Sequence, residues 1–129
     1  RPPVAAYFDI NGYDLTIYNI HIKPADVKSE LHNLESLIYG TNNILVIGDF
    51  NADMPYYNHK TNPEFSGWTW AISDTYDTTV AESHKTYDRA LLNSNASREL
   101  LSQGVYEGQI TKRVSDHKAI WLELETSER

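Results

Sequence analysis

The sequence predicts an α+β fold in which one mostly antiparallel sheet carries helices on one of its faces. Three features lead there. Strand-like segments outnumber helical ones and follow one another in mixed order. The dipeptide Asn11-Gly12 stands between two runs rich in β-branched and aromatic residues, the signature of a tight hairpin. One stretch after Pro24 places apolar residues at helical spacing. With 129 residues, 40% hydrophobic and 22% charged, the chain holds one globular domain's worth of material, without linker or repeat.

Taken in order, residues 4–8 and 13–20 read as the two strands of the hairpin, because Asn and Gly tolerate the positive φ of a type I′ turn. Val27, Leu31, Leu34 and Ile38 form the apolar stripe of a helix, with Asp26 as N-cap and Gly40 as its stop. The unbroken run Ile44-Leu45-Val46-Ile47 is too short for a helix and suits a strand buried on both faces. Residues 51–67, rich in Asp, Asn, Pro, Tyr and Lys, read as a long surface loop. Residues 68–72 suit a short strand or a helical turn, 86–92 a strand, and 94–103 a short helix. Residues 119–125 alternate, with Ile120, Leu122 and Leu124 on one face and Trp121 on the other, as in a half-buried strand.

Composition narrows the function. No run approaches the roughly 18 apolar residues of a membrane span, so a soluble protein is expected. The chain lacks cysteine, which removes disulfides and thiolate chemistry and leaves the compartment open. A formal charge of −7 argues against broad attraction to nucleic acid; a nuclease of this balance needs metal ions and a few local cations at its site. The start at Arg1-Pro2-Pro3, without initiator methionine or signal peptide, reads as a cut end.

Chemistry-bearing residues gather at strand ends: Asn19 and His21, Asp49 and Asn51, Asp88 and Arg89, Asp116 and His117. If those strands share an edge, the side chains converge. Carboxylates and carboxamides suit a hard cation such as magnesium or manganese. Two histidines suit proton transfer to and from a phosphodiester, each held in its tautomer by a neighbouring carboxylate. Singly, each of these residues is also ordinary turn chemistry, and His32, His59 and His84 read as solvated.

The order of the motifs is more specific. Asn19-Ile20-His21 with Pro24, Gly48-Asp49-Phe50-Asn51-Ala52-Asp53, Tyr87-Asp88-Arg89 and Ser115-Asp116-His117 together resemble the endonuclease/exonuclease/phosphatase superfamily. Asp77-Thr78-Thr79 ahead of Tyr87-Asp88-Arg89, and the opening Arg1-Pro2-Pro3, resemble the deoxyribonuclease I branch in particular. The resemblance implies that residues 1–129 form the C-terminal half of a four-layer α/β sandwich. It implies His21 and His117 as catalytic histidines and Asp88 as the partner orienting His117. Asp49, Asn51 and Asp116 are implied as metal and phosphate ligands, Asp49 and Asn51 also counting among the catalytic set. Arg1, Asn19 and Tyr87 are implied as substrate contacts. Asp77, Thr79 and Ser83 resemble part of a structural calcium site, although Ala81 stands where the family often has a hydroxyl and a Thr-rich turn explains the segment equally well. Met54 and Lys85 stand near where secreted animal relatives carry a disulfide.

The implied activity is divalent-metal-dependent cleavage of DNA, with magnesium or manganese as cofactor and calcium as a further ion. An extracellular location is compatible with the resemblance. In the family the first half of the fold supplies a metal-binding glutamate and a second glutamate paired with the histidine matched by His21. Two expectations follow: little activity from the isolated chain, and an uncovered sheet that pairs with the missing half or with a second copy. The alternatives are a noncatalytic metal- or partner-binding half-fold, or a related phosphoesterase acting on abasic DNA, sphingomyelin or inositol phosphates.

Overall fold

In the computed structural model, which describes residues 2–40 and 42–127, strands β1 (Val4–Ile10) and β2 (Tyr13–Asn19) pair in an unbroken antiparallel register from Val4↔Asn19 to Ile10↔Tyr13. Asn11 and Gly12 turn the chain with φ of 52° and 90°, and Asp9 Oδ1 accepts the Gly12 N–H at 2.7 Å, as the hairpin expectation requires. A 3₁₀ turn (Pro24–Asp26) leads into helix α1 (Val27–Leu37). Asp26 sits at the N-cap position, but its side chain caps nothing; Glu30 instead accepts the Lys23 N–H at 2.9 Å. Val27, Leu31, Leu34 and Ile38 are buried as the stripe predicts, each full burial contributing about 2 kcal/mol.

The aliphatic run becomes β3 (Asn43–Asp49), followed by β4 (Thr69–Trp70) and β5 (Asp88–Leu92). The five strands form one sheet in the order β1-β2-β3-β5-β4, antiparallel except for the β2–β3 pair. Pleating sends Ile44 and Val46 to the face covered by α1, and Leu45 and Ile47 to the opposite face. One mostly antiparallel sheet with its helix on one face is the α+β layering the sequence predicts.

Two segments differ from expectation. Residues 94–103 are not one helix: α2 (Ser94–Ser97) is a single turn capped by Asn93 Oδ1, and the chain then enters strand β6 (Leu100–Val105). The helical reading failed because Leu100 and Leu101 fit either period, whereas pairing with β7 (Ile120–Leu124) decides for a strand. The loop over 51–67 also goes deeper than a surface loop, since Ala52, Tyr57 and Phe65 join the core beneath α1.

The β6–β7 ribbon lies against the sheet face opposite α1, where Leu100, Ile120, Leu122 and Leu124 pack on Leu15, Leu45, Ala90 and Leu92. The uncovered-sheet expectation therefore holds only at one edge. On β1, register places Val4, Phe8 and Ile10 on the ribbon's side of the sheet, yet they remain 69%, 47% and 39% exposed. No helix among the described residues is long and apolar enough to cross a membrane.

Candidate active site

Strand register brings the site together. Asp49, the last residue of β3, lies directly opposite Asp88, the first of β5. Beyond β2 the parallel pairing continues through Ile20 N to Ile47 O (3.3 Å) and Ile22 N to Asp49 O (2.9 Å), which carries His21 to the same edge. The approach is close at Gly48. Its φ is 152°, and a Cβ there would stand 2.1 Å from the Ile20 carbonyl oxygen, so only glycine lets β3 run this near the end of β2.

His117 arrives from the other side of the fold. Asp77, Thr78 and Thr79 run alongside 116–118, with Val80 N to Asp116 O at 3.0 Å, Lys118 N to Thr78 O at 2.8 Å and a bridge between Thr79 and His117. His117 Nδ1 then meets Asp88 Oδ2 at 2.8 Å. Its Nε2 lies 3.5 Å from Asp49 Oδ2 and 3.7 Å from Asp116 Oδ1, and His21 Nε2 lies 3.4 Å from the same Asp49 oxygen. Asp49 Oδ2 thus sits between the two histidines.

Asp88 and His117 both have raised pKa values, for opposite reasons. Burial dominates in Asp88, disfavouring its charge more strongly than the His117 contact favours it, and the nearby Asp49 carboxylate adds to the rise. Burial would lower His117, but the Asp88 hydrogen bond and the charges of Asp88, Asp49 and Asp116 outweigh it and favour the imidazolium. Asp49, Asp88 and His117 each offer a ligand atom within 4.8 Å of the others, a grouping that could hold a metal ion. Two carboxylates set opposite each other, one of them buried, are a setting that a divalent cation relieves.

The remaining expected residues divide. Asn51 is buried, adopts φ of 49°, donates its backbone N–H to Asp49 Oδ1 (3.0 Å) and its amide Nδ2 to Ile22 O (2.8 Å), so its carboxamide oxygen is the group left for an ion or phosphate. Asp116 is largely exposed beside His117. Asn19 reaches the edge but spends its amide on Ile47 O at 3.1 Å. Tyr87 packs against exposed Tyr56 with ring centroids 5.8 Å apart, and burial, with Tyr56, Asp53 and Asp49 nearby, raises its pKa. Arg1 lies outside the described residues.

Asp77, Thr79 and Ser83 do meet: Thr79 Oγ1 donates to Asp77 Oδ1 or to the Ser83 carbonyl, each at 3.1 Å. Asp77 also accepts backbone N–H groups from Thr79 and Lys85 and faces Lys118 Nζ at 3.7 Å. These contacts close the turn around Asp77, and Lys118 stands beside its carboxylate. Between Met54 and Lys85, Lys85 Nζ donates to the Met54 carbonyl at 2.8 Å, tying together the segment after Asp53 and the one before Thr86.

Three supporting residues carried no sequence signal of their role. Thr78 is fully buried and its Oγ1 accepts the N–H groups of Tyr87 and Asp88 at 3.1 and 3.2 Å, positioning the start of β5. Asp53 Oδ2 accepts Thr86 N at 2.7 Å and locks the loop after β3 to the same segment. His59, expected to be solvated, instead stacks on Trp70 at 4.7 Å between centroids and faces Asp74 at 3.3 Å.

This assembly of acidic strand ends and a carboxylate-held histidine at one sheet edge defines a candidate metal centre. No protein-family model matches the chain. Among curated proteins it is 30% identical to deoxyribonuclease-1-like 1 of Bos taurus over 98% of this chain and 48% of the relative. It is also 30% identical to deoxyribonuclease-1 of Gallus gallus over 83% of this chain and 43% of that protein. An endonuclease/exonuclease/phosphatase family protein from Leptotrichia buccalis shares the fold with a TM-score of 0.70 and 20% identity, over 95% of this chain and 52% of that one. An AP endonuclease from Archaeoglobus fulgidus does so with a TM-score of 0.68 and 10% identity, over 94% and 65%. The chain is thus similar in sequence to deoxyribonuclease-1 and deoxyribonuclease-1-like 1 proteins and shares the fold of an endonuclease/exonuclease/phosphatase family protein. It spans about half the length of those curated relatives.

Proposed function

We propose that this chain supplies the C-terminal half of a divalent-metal-dependent DNA endonuclease site. The observation that carries the reading is the Asp88–His117 pair set against Asp49, with His21 on the far side of the same carboxylate. With Nδ1 turned to Asp88, His117 presents Nε2 toward the Asp49 and Asp116 carboxylates. It takes the proton of the attacking water there, and Asp88 stabilises the imidazolium that forms. His21 protonates the leaving oxygen. Asp49, Asp116 and the Asn51 carboxamide are hard oxygen donors suited to magnesium or manganese. The bound ion supplies charge neutralisation on the phosphate oxygens. Asn19, Tyr87 and Arg1 are assigned to the substrate. Calcium binding at Asp77, Thr79 and Ser83 requires Lys118 to leave Asp77.

Calorimetric titration of the chain with Mn²⁺ tests the half-site. We expect one weak site, with affinity lowered at least about tenfold in Asp49→Asn; absence of any metal-dependent heat contradicts the reading. The same half-fold serves as a noncatalytic module if it binds metal yet gives no plasmid cleavage when joined to a complementary half. Abasic duplex and sphingomyelin, tested beside plasmid, separate the related phosphoesterases.

The partner assigned to the exposed strip of Val4, Phe8 and Ile10 is the complementary half of the sandwich, because these residues adjoin the ribbon-covered face and no segment described here reaches them. Without it, a second copy takes the same place, giving a concentration-dependent dimer. Light scattering that returns a monomer across a hundredfold concentration range contradicts this assignment.

A further inference from the structure

A site edged by Asp49, Asp88, Asp116 and Asp53 on a chain of charge −7 repels a polyanion, so a DNA substrate needs fixed cations close to the reacting phosphate. Several basic side chains are already engaged. Arg89 is buried against Asp74, Lys60 faces the same carboxylate, Lys118 faces Asp77 and Lys85 is tied to Met54 O.

Lys23 and Lys28 stand singly without an ion-pair partner among the described residues, whereas Lys112 and Arg113 stand together. They are the only adjacent pair of Lys or Arg in the sequence. Both are exposed, and among the described residues neither has an ion-pair partner. They occupy the tip of a closed turn in the β6–β7 connection, where Thr111 O accepts Val114 N at 2.9 Å and Ser115 N at 3.1 Å. Ser115 Oγ in turn accepts His117 N at 3.0 Å, so the turn is fastened directly to the catalytic histidine. Four residues of chain place the Cα of Arg113 within about 14 Å of that of His117. At about 3.4 Å of helix axis per nucleotide, this is within roughly four nucleotides of the scissile phosphate.

We propose that Lys112 and Arg113 form a phosphate grip that holds the backbone of duplex DNA beside the scissile bond and makes a polymeric phosphodiester the preferred substrate. Arg113 offers a fork matched to phosphate oxygens and Lys112 a mobile point charge. Glu107 and Asp116, at the ends of the connection, confine the favourable potential to the tip. The inference rests on the phosphodiesterase reading, but it acts on binding and not on the chemical step.

The test is equilibrium binding of a fluorescent 16-base-pair duplex to the chain in EDTA, followed by anisotropy from low to moderate salt. We expect Lys112→Ala with Arg113→Ala to flatten the slope of log affinity against log salt by about 1.8, the release of two counterions. Lys112→Arg with Arg113→Lys should keep the slope, as should Lys28→Ala on α1. Equal slopes in the chain and the double alanine variant overturn the grip, as does an equal loss from Lys28→Ala or no binding by the unmodified chain at low salt. The Mn²⁺ titration above reads the metal site independently. A flattened slope without metal binding leaves the grip standing and removes the phosphodiesterase reading; metal binding with an unchanged slope does the reverse.

Discussion

Replacing His117 by alanine lowers magnesium-dependent plasmid cleavage by about 10³-fold in a protein joining this chain to its complementary half. The expectation follows from the position of the ring. Nδ1 is engaged by Asp88 at 2.8 Å, and Nε2 faces the Asp49 and Asp116 carboxylates. In the proposed reading the change removes the group that accepts the proton and leaves the Asp49, Asp88 and Asp116 carboxylates in place, so turnover should fall far more than Mn²⁺ affinity. Asp88→Asn tests the pairing itself. The carboxamide keeps the shape but removes the charge that favours the imidazolium, and a loss of roughly 100-fold is expected. Steady-state cleavage rates beside metal titrations check both. Rates within threefold of the parent protein remove His117 from the chemistry.

The second large effect concerns Arg89, next in sequence to Asp88 and only 1% exposed. Its guanidinium donates to Ile72 O at 2.8 Å, Ala52 O at 2.7 Å and Asp74 Oδ1 at 2.6 Å, and lies 5.5 Å above the centre of the Trp70 ring. It thus ties β5 to the loop after β3 and to the segment after β4. Arg89→Ala leaves two carbonyls and a carboxylate without their donor and opens a cavity, a loss of about 4 kcal/mol. For a chain of this size the melting temperature falls by roughly 15 °C. A fall of less than about 3 °C shows that the network carries little stability.

Acid should expose the same network. Burial pushes the Asp74 pKa up, but the Arg89 hydrogen bond and charge, with His59 and Lys60, outweigh it and hold the carboxyl below its ordinary value. A depressed carboxylate contributes stability that is complete above its unfolded pKa and is lost as pH falls through the folded value. Asp74→Asn is therefore least stable relative to the parent near neutrality, and the gap narrows below about pH 4. Thermal melts of both proteins from pH 7 to pH 3 follow the narrowing; a gap that widens toward acid contradicts the sign.

What the sequence discloses follows from how local each signal is. The Asn11-Gly12 turn, the α1 stripe and the twice-buried β3 are written in neighbouring residues, and all three form as read. Strand β6 depends on a partner some twenty residues away, so Leu100–Val105 could not be told from a continuation of α2. The candidate site residues were legible as types at strand ends, because a polar residue after a buried strand is visible without the fold. Their supports were not. Thr78 looks like any turn threonine until its hydroxyl meets the start of β5, and His59 looks solvated until Trp70 and Asp74 close around it. Coverage of the sheet was likewise a tertiary matter: β6 and β7 shield most of the face that seemed bare, leaving the β1 strip.

The claim that these residues form one half of a metal-dependent phosphodiesterase site is tested most directly by plasmid nicking with magnesium, comparing the chain alone with the chain joined to a complementary half. The account predicts little or no nicking by the chain alone, and nicking by the joined protein that EDTA and His117→Ala both abolish. Nicking by the chain alone that survives His21→Ala and His117→Ala, or a well-folded joined protein that leaves the plasmid intact in magnesium and manganese, contradicts it.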